Sequence, residues 1–239
     1  MASICVFKRY EYKYLLTAEQ YFAVLNEIEK HMAADKYGKS TIQSLYYDTD
    51  DYLLARRSLE KPMYKEKLRM RSYCQAKDDD EVFLELKKKY DGVVFKRRIE
   101  LTAAQAEHGL FDCVRALPDQ ISKEITYAID MYKTLAPKIL LLYDRTAYFG
   151  KDDESGLRVT FDTNIRYRMD RLTMCGGTDG KPVRTDGKIL MEVKAGASIP
   201  LWLCRLISSL GIRKTSFSKY GTAYTIEHDN IFTEVKQVG

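Results

Sequence analysis

Three successive segments of this chain alternate charged and apolar side chains with a period of two, and that pattern admits few folds. In residues 64–73, Lys65, Lys67, Arg69, Arg71 and Tyr73 share one face of an extended chain, and Leu68 and Met70 share the other. In residues 81–89, Phe83, Glu85 and Lys87 oppose Val82, Leu84 and Leu86. In residues 93–101, Lys96, Arg98 and Glu100 oppose Val93, Phe95, Ile99 and Leu101. The links between them, Asp78-Asp79-Asp80 and Tyr90-Asp91-Gly92, are turn material. An antiparallel meander is the simplest topology.

The same face recurs elsewhere. Residues 7–15 place Arg9, Glu11 and Lys13 opposite Tyr10, Tyr12 and Tyr14. Residues 42–49 and 139–149 read as strands from their aromatic and β-branched content. Residues 156–166 set Arg158, Thr160, Asp162 and Asn164 against Leu157, Val159, Phe161 and Ile165, and residues 188–194 set Glu192 and Lys194 against Ile189, Met191 and Val193. Helices are predicted after Thr17, whose spacing to Gln20 is that of a capping box, and across residues 102–135 with a break near Leu117-Pro118. Two more are predicted from Ser198 through Leu210 and from about Ser218 through Ile226.

At 239 residues and 45% hydrophobic composition, the chain can bury a core of its own, and we read residues 1–239 as a single domain with at most two closely packed lobes. No run approaches the roughly 18 apolar residues of a membrane-spanning helix, and the first residues do not resemble a leader, so a cytoplasmic protein without a membrane segment is expected. The five cysteines are scattered without a CxxC pair, which points to reduced thiols. A net charge of +5 is modest for this length and disfavours nucleic acid as a partner.

At least six strands carry a charged face whose reverse is apolar enough to need covering by helices. About eight antiparallel strands suffice to close a barrel, and a barrel clothed by helices would turn the charged faces inward. The expected fold is therefore α+β, a barrel with a polar, basic interior. Glu11, Glu85, Glu100, Asp162 and Glu192 offset only part of the cationic charge of Arg9, Lys13, Lys65, Lys67, Arg69, Arg71, Lys87, Lys96, Arg98, Arg145, Arg158 and Lys194. Desolvated like charges repel, so the remainder calls for an anionic ligand, and arginine forks and lysine ammoniums both suit phosphate. Mg²⁺ or Mn²⁺ takes one or two carboxylates plus phosphate oxygens. Glu192 is the first candidate ligand, and pairing of Glu192 with an arginine is an equal alternative.

These residues resemble a known family. Arg9-Tyr-Glu-Tyr-Lys13-Tyr, Ser44-Leu-Tyr-Tyr-Asp48-Thr, Lys67-Leu-Arg69-Met-Arg71, Phe83-Leu-Glu85-Leu-Lys87, Lys96-Arg-Arg98, Tyr143-Asp-Arg145-Thr-Ala, Arg158-Val-Thr-Phe-Asp162, Glu192-Val-Lys194 and Ser216-Phe-Ser218-Lys219-Tyr220 are similar, in that order, to the VTC domain. This is the polyphosphate polymerase module of the vacuolar transporter chaperone complex, within the triphosphate tunnel metalloenzyme (CYTH-like) superfamily. The resemblance implies a tunnel barrel in which ATP, with Mn²⁺ or Mg²⁺, donates its terminal phosphate to a growing polyphosphate. It implies that Lys13, Arg69, Arg71, Lys87, Lys96, Arg145, Arg158 and Lys219 act on phosphates. Arg9, Arg98, Tyr143, Lys194 and Ser218 would help bind substrate, and Glu192 would bind the metal.

ATP and polyphosphate are thus the expected partners; a membrane-protein partner is left unspecified. The first strand reads Arg9-x-Glu11-x-Lys13 where related hydrolases carry ExExK, which favours phosphate holding over two-metal hydrolysis. Two alternatives stand beside the polymerase: a tripolyphosphatase or nucleoside triphosphatase, and a non-catalytic module binding polyphosphate or an inositol phosphate. Surface or packing roles are expected for His31, His108 and His228, and core packing for Trp202.

Overall fold

Alternating residues become strands and 3.6-periodic ones helices in the order β1 (Tyr10–Leu16), α1 (Ala18–His31), β2 (Met32–Asp48), α2 (Leu53–Glu60), β3 (Tyr64–Ser72), β4 (Glu81–Tyr90) and β5 (Val93–Thr102). There follow α3 (Ala103–Glu107), α4 (Leu110–Ala116), α5 (Gln120–Tyr132), β6 (Ala136–Gly150), β7 (Arg158–Arg168) and β8 (Lys181–Pro182). The chain ends with β9 (Ile189–Ala195), α6 (Leu201–Ser209), β10 (Lys214–Thr215) and α7 (Lys219–Gln237). The structure is a computed structural model and describes residues 10–60, 62–91, 93–151, 156–196 and 198–237.

Local signals place most element ends. Thr17 closes the expected capping box on α1, its hydroxyl accepting from Gln20 N–H while the Gln20 side chain accepts from Thr17 N–H. Asp119 caps α5 after the Leu117-Pro118 break. The 102–135 stretch holds three helices rather than two, because Gly109 adopts φ +91° between α3 and α4, a conformation natural only to glycine. β2 is longer than expected and takes in Met32, which the periodicity assigns to α1.

The strand order is β10-β1-β9-β7-β6-β2-β3-β4-β5, with β8 on β7. Eight of these strands have seven or more residues, matching the expected number. Among the described residues, however, the sheet is open, with β10 and β5 at its ends, so the pairing does not extend to a closed barrel. A period of two dictates which side chains share a face; whether two edge strands meet depends on twist and stagger, which that period does not encode.

The chain divides into two compact units. The first comprises Met1–Ser40, Tyr143–Asn164 and Arg184–Phe217. Its core packs Val24 and Ile28 of α1 and Leu203 of α6 with Leu16, Val159, Phe161, Met191 and Val193 from the strands. The second comprises Thr41–Leu142, Ile165–Val183 and Ser218–Gly239. Its core sets Leu68, Met70, Val82, Leu84 and Leu86 against Ala103, Leu110, Val114 and Ile125 of α3, α4 and α5. Each fully buried aliphatic side chain contributes about 1.5–3 kcal/mol. In both units helices cover the apolar strand faces, leaving the charged faces on the reverse. No helix among the described residues is long and apolar enough to cross a membrane.

Candidate functional site

In the second unit, the register of β3, β4 and β5 sorts the charged face into rows. Lys67 lies opposite Lys87 and Lys87 opposite Lys96, a row of three ammoniums in direct cross-strand positions. Like charges so placed are destabilising by themselves. The next row runs Tyr46, Arg69, Glu85 and Arg98, and the next Ser44, Arg71, Phe83 and Glu100.

Glu85 is 1% exposed and is the anionic centre of this group. Arg69 donates to it from Nε at 2.9 Å and Nη2 at 2.7 Å, Arg98 from Nε at 2.9 Å, and Lys96 approaches at 2.6 Å, with Arg71 farther off at 3.9 Å. Burial pushes the Glu85 carboxyl up, but Arg69, Arg71 and Lys96 outweigh it and hold the group well below the usual carboxylate range. Lys96 is drawn down by burial, which the Glu85 charge only partly offsets. Four cations therefore share one buried carboxylate, and the group is short of negative charge.

The first turn of α7 belongs to the same unit. Ser218 Oγ accepts from Gly221 N–H at 3.1 Å and from Lys67 Nζ at 3.2 Å, and Lys219 is the first helical residue. A Cβ at Gly221 would stand 2.7 Å from Leu59 Cδ2, so a side chain there would push the Leu59 methyl aside where this turn meets α2. Backbone N–H groups at such a helix start favour anions.

The first unit assembles a different group. Arg145 grips Asp162 with a two-pronged contact, Nε to Oδ1 at 2.6 Å and Nη2 to Oδ2 at 2.7 Å, and lies over the Tyr143 ring at 5.1 Å. Burial lowers the Arg145 guanidinium pKa, but Tyr143, Asp162 and Glu192 more than compensate and raise it well above its ordinary value. Glu192 is 6% exposed, and its two oxygens lie 3.4 Å from Lys13 Nζ and 3.5 Å from Arg145 Nη2. Lys13 also donates to the Phe217 carbonyl at 3.2 Å and stands 3.8 Å from Glu11. In the adjoining row Glu11, Lys194 and Arg158 lie side by side, with the Arg158 guanidinium over Phe149 at 4.8 Å.

Among the described residues no three His, Cys, Asp or Glu side chains cluster, so the protein oxygens near Glu192 would be only part of a cation's shell. The Glu192 contacts to Lys13 and Arg145 are about 0.8 Å longer than those between Asp162 and Arg145. Thr160, directly across the strand pair, has a buried hydroxyl with no hydrogen-bond partner among the described residues. Hard oxygen donors of this kind suit Mg²⁺ or Mn²⁺ when substrate phosphate and water complete the shell.

The structure thus gathers Arg69, Arg71, Lys87, Lys96 and Arg98 on one face of the second unit, which also carries Ser218 and Lys219. It gathers Lys13, Tyr143, Arg145, Arg158, Glu192 and Lys194 in the first. Arg9 lies outside the described residues. Glu192 has the arginine neighbour of the ion-pair alternative, Arg145. Sequence reasoning counted Glu85 and Lys67 on the basic face without giving them a place in the site, and overlooked Tyr46 and Tyr220. Tyr46 shares the parity of Ser44 and so was open to detection; the Tyr46–Tyr220 ring pairing has no local signal. Trp202 stacks on His31 at 4.3 Å, and His228 packs on Tyr224 at 4.0 Å, both packing roles.

The VTC domain family matches residues 8–228. No curated protein matches. Solved structures similar to this one include the PH1819 protein from Pyrococcus horikoshii OT3, at 13% identity and TM-score 0.45, covering 91% of this chain and 98% of that one. Another is a putative adenylate cyclase from Vibrio parahaemolyticus, at 11% identity and TM-score 0.46, covering 92% of this chain and 99% of that one.

Proposed function

Because this chain belongs to the VTC domain family, we propose that it is a polyphosphate polymerase that transfers the terminal phosphate of ATP to a growing polyphosphate chain. The observation that carries the reading is the in-register row Lys67–Lys87–Lys96 beside a buried carboxylate, Glu85, that Lys96 shares with Arg69, Arg71 and Arg98. Such a surface is unfavourable until a linear polyanion lies along it. The tunnel implied by the family resemblance is part of this proposal.

The chemistry asks little covalent work of the protein. A terminal oxygen of the acceptor chain attacks the γ-phosphorus of ATP, the bond from that phosphorus to the β–γ bridging oxygen breaks, and ADP leaves with the electron pair. Arg69, Arg71, Lys87 and Lys96 would hold and align phosphates, and Ser218 and Lys219 would engage an end of the chain at the α7 start. Arg145, fixed by Asp162, would meet charge developing on the transferred group. Glu192, helped by the Thr160 hydroxyl, would hold Mn²⁺ or Mg²⁺, which when bound supplies charge neutralisation at phosphoryl oxygens.

Purified protein supplied with ATP and Mn²⁺ should produce ADP in step with a long phosphate polymer, visible as a ladder on a polyacrylamide gel. Release of free phosphate alone would instead identify a triphosphatase. Tight, metal-independent binding of polyphosphate without turnover would identify a binding module.

A further inference from the structure

We infer that Tyr46 is a positioning residue of the basic face on β3–β5: its phenol oxygen acts as a resident partner for the cations and takes up a proton when a phosphate chain occupies them. The inference rests on the proposed reading that this face holds phosphates.

The geometry is unusual for a core tyrosine. Tyr46 is 7% exposed and lies directly opposite Arg69 in the β2–β3 register. Arg69 spends Nε and Nη2 on Glu85 and donates from Nη1 to Tyr46 Oη at 3.1 Å. The phenol oxygen therefore completes the set of acceptors that fixes the guanidinium plane. A guanidinium held by acceptors on two different strands is pre-organised for recognising a further anion.

The ring itself is clamped. It stacks on Tyr220 with centroids 4.3 Å apart and planes 7° from parallel. Tyr220 in turn donates its hydroxyl to Asp48 Oδ2 at 2.6 Å, and Asp48 accepts from the N–H groups of Leu54 and Ala55 at 2.8 and 2.9 Å. Tyr46 thus links Arg69 to the first turn of α7, where Ser218 and Lys219 stand, and to the start of α2. Substituting Tyr46 should disturb both phosphate-holding elements together.

The charges facing the phenol come from every neighbouring element: Lys67, Arg69 and Arg71 from β3, Glu85 from β4 behind Arg69, Tyr220 from α7, and Asp48 from its own strand. Burial favours the neutral phenol, but Arg69, Lys67 and Arg71 outweigh it and lower the group to about 7. Near neutrality the oxygen is therefore partly ionised and supplies negative charge that Glu85 alone does not. A phosphate chain brings its own charge to the same cations. Two anions on one guanidinium repel, so the arriving phosphate favours the neutral phenol. One proton passes from solvent to Tyr46 Oη, and no covalent bond to phosphorus is made.

Linkage then fixes the sign. Wild-type affinity for a phosphate chain should fall, relative to Tyr46→Phe, as pH rises through about 7, because the ionised phenol must first be protonated. The limiting slope is about tenfold per pH unit.

The test uses inorganic tripolyphosphate without metal. Calorimetric titrations near neutral pH in two buffers of different ionisation heat count protons taken up by the wild type and by Tyr46→Phe, while tyrosinate ultraviolet absorbance is followed in the wild type alone. The expected result is extra proton uptake in the wild type, a pH profile that diverges from the variant above neutrality, and loss of tyrosinate absorbance on binding. Binding with equal proton counts and no absorbance change would overturn the inference while leaving the phosphate reading intact. Absence of binding to the wild type would overturn the phosphate reading and this inference with it. The absorbance measurement serves if Tyr46→Phe does not fold.

Discussion

On β3–β5 the cations Lys65, Lys67, Arg69, Arg71, Lys87, Lys89, Lys96 and Arg98 share a face with one buried carboxylate, Glu85, and the exposed Glu100. In the first unit four cations, Lys13, Arg145, Arg158 and Lys194, meet three carboxylates, Glu11, Asp162 and Glu192. Built from the same alternating strands, the two groups differ in what they lack. The first has far fewer carboxylates than cations, and on the proposed reading it receives phosphates. The second is nearly neutral and fixes Arg145 firmly, and on the proposed reading its Glu192 takes a cation shared with substrate. The lesson is that a basic face specialises through the few carboxylates placed in it.

The sharpest way to break this contrast is Glu85→Gln. Removing the one buried anion under four cations should destabilise the fold by about 3–5 kcal/mol, lowering the melting temperature by roughly 10 °C at this size. Added tripolyphosphate should restore part of the loss, and an unchanged melting curve would remove Glu85 from the centre of the group.

Acid should undo the same interaction. The folded Glu85 carboxyl lies below its unfolded value of 4.5, so its contribution is present above that pH and is lost as pH falls below it. Thermal melts between neutrality and strong acid should therefore decline below about pH 4.5 in the wild type more steeply than in Glu85→Gln.

Glu192→Gln addresses the other group. Manganese affinity, read from free Mn²⁺ by paramagnetic resonance, should weaken on the order of tenfold to a hundredfold, with a smaller effect on melting than Glu85→Gln, because Glu85 is the more deeply buried and is met by four cations. Unchanged Mn²⁺ binding would leave Glu192 as only an ion-pair partner.

Lys87→Met separates binding from stability. Loss of one charged phosphate contact should weaken tripolyphosphate binding about tenfold and flatten its salt dependence. The melting temperature should hold or rise, since a like-charge neighbour of Lys67 and Lys96 is gone. A fall in melting temperature with unaltered binding would make the row structural. The smallest effect belongs to Thr17→Ala, which removes the α1 capping box for about 1 kcal/mol and should leave phosphate affinity untouched.

Much of the fold was legible because its determinants are local. The Thr17 cap, the Leu117-Pro118 break and the face shared by Lys67, Arg69 and Arg71 all follow from side-chain spacing. The candidate site was legible as a list of like-facing residues, of which Arg69, Arg71, Lys87, Lys96 and Arg98 share the β3–β5 face, while Ser218 and Lys219 stand at the α7 start. Its internal accounting was not. Nothing in spacing says that Arg69, Lys96 and Arg98 converge on Glu85, or that Asp162 takes both prongs of Arg145.

By itself, then, the sequence determined which side chains lie on the basic faces and where helices begin and break, because periods of two and 3.6 and cap geometry are properties of a few neighbouring residues. Only the tertiary structure decided which strands lie in register, that Tyr46 stacks on Tyr220 with Asp48 bonded behind it, and that the sheet's described ends remain unpaired. Those outcomes depend on strand order, twist and contacts between residues as far apart as Asp48 and Tyr220, and no local pattern in the chain specifies them.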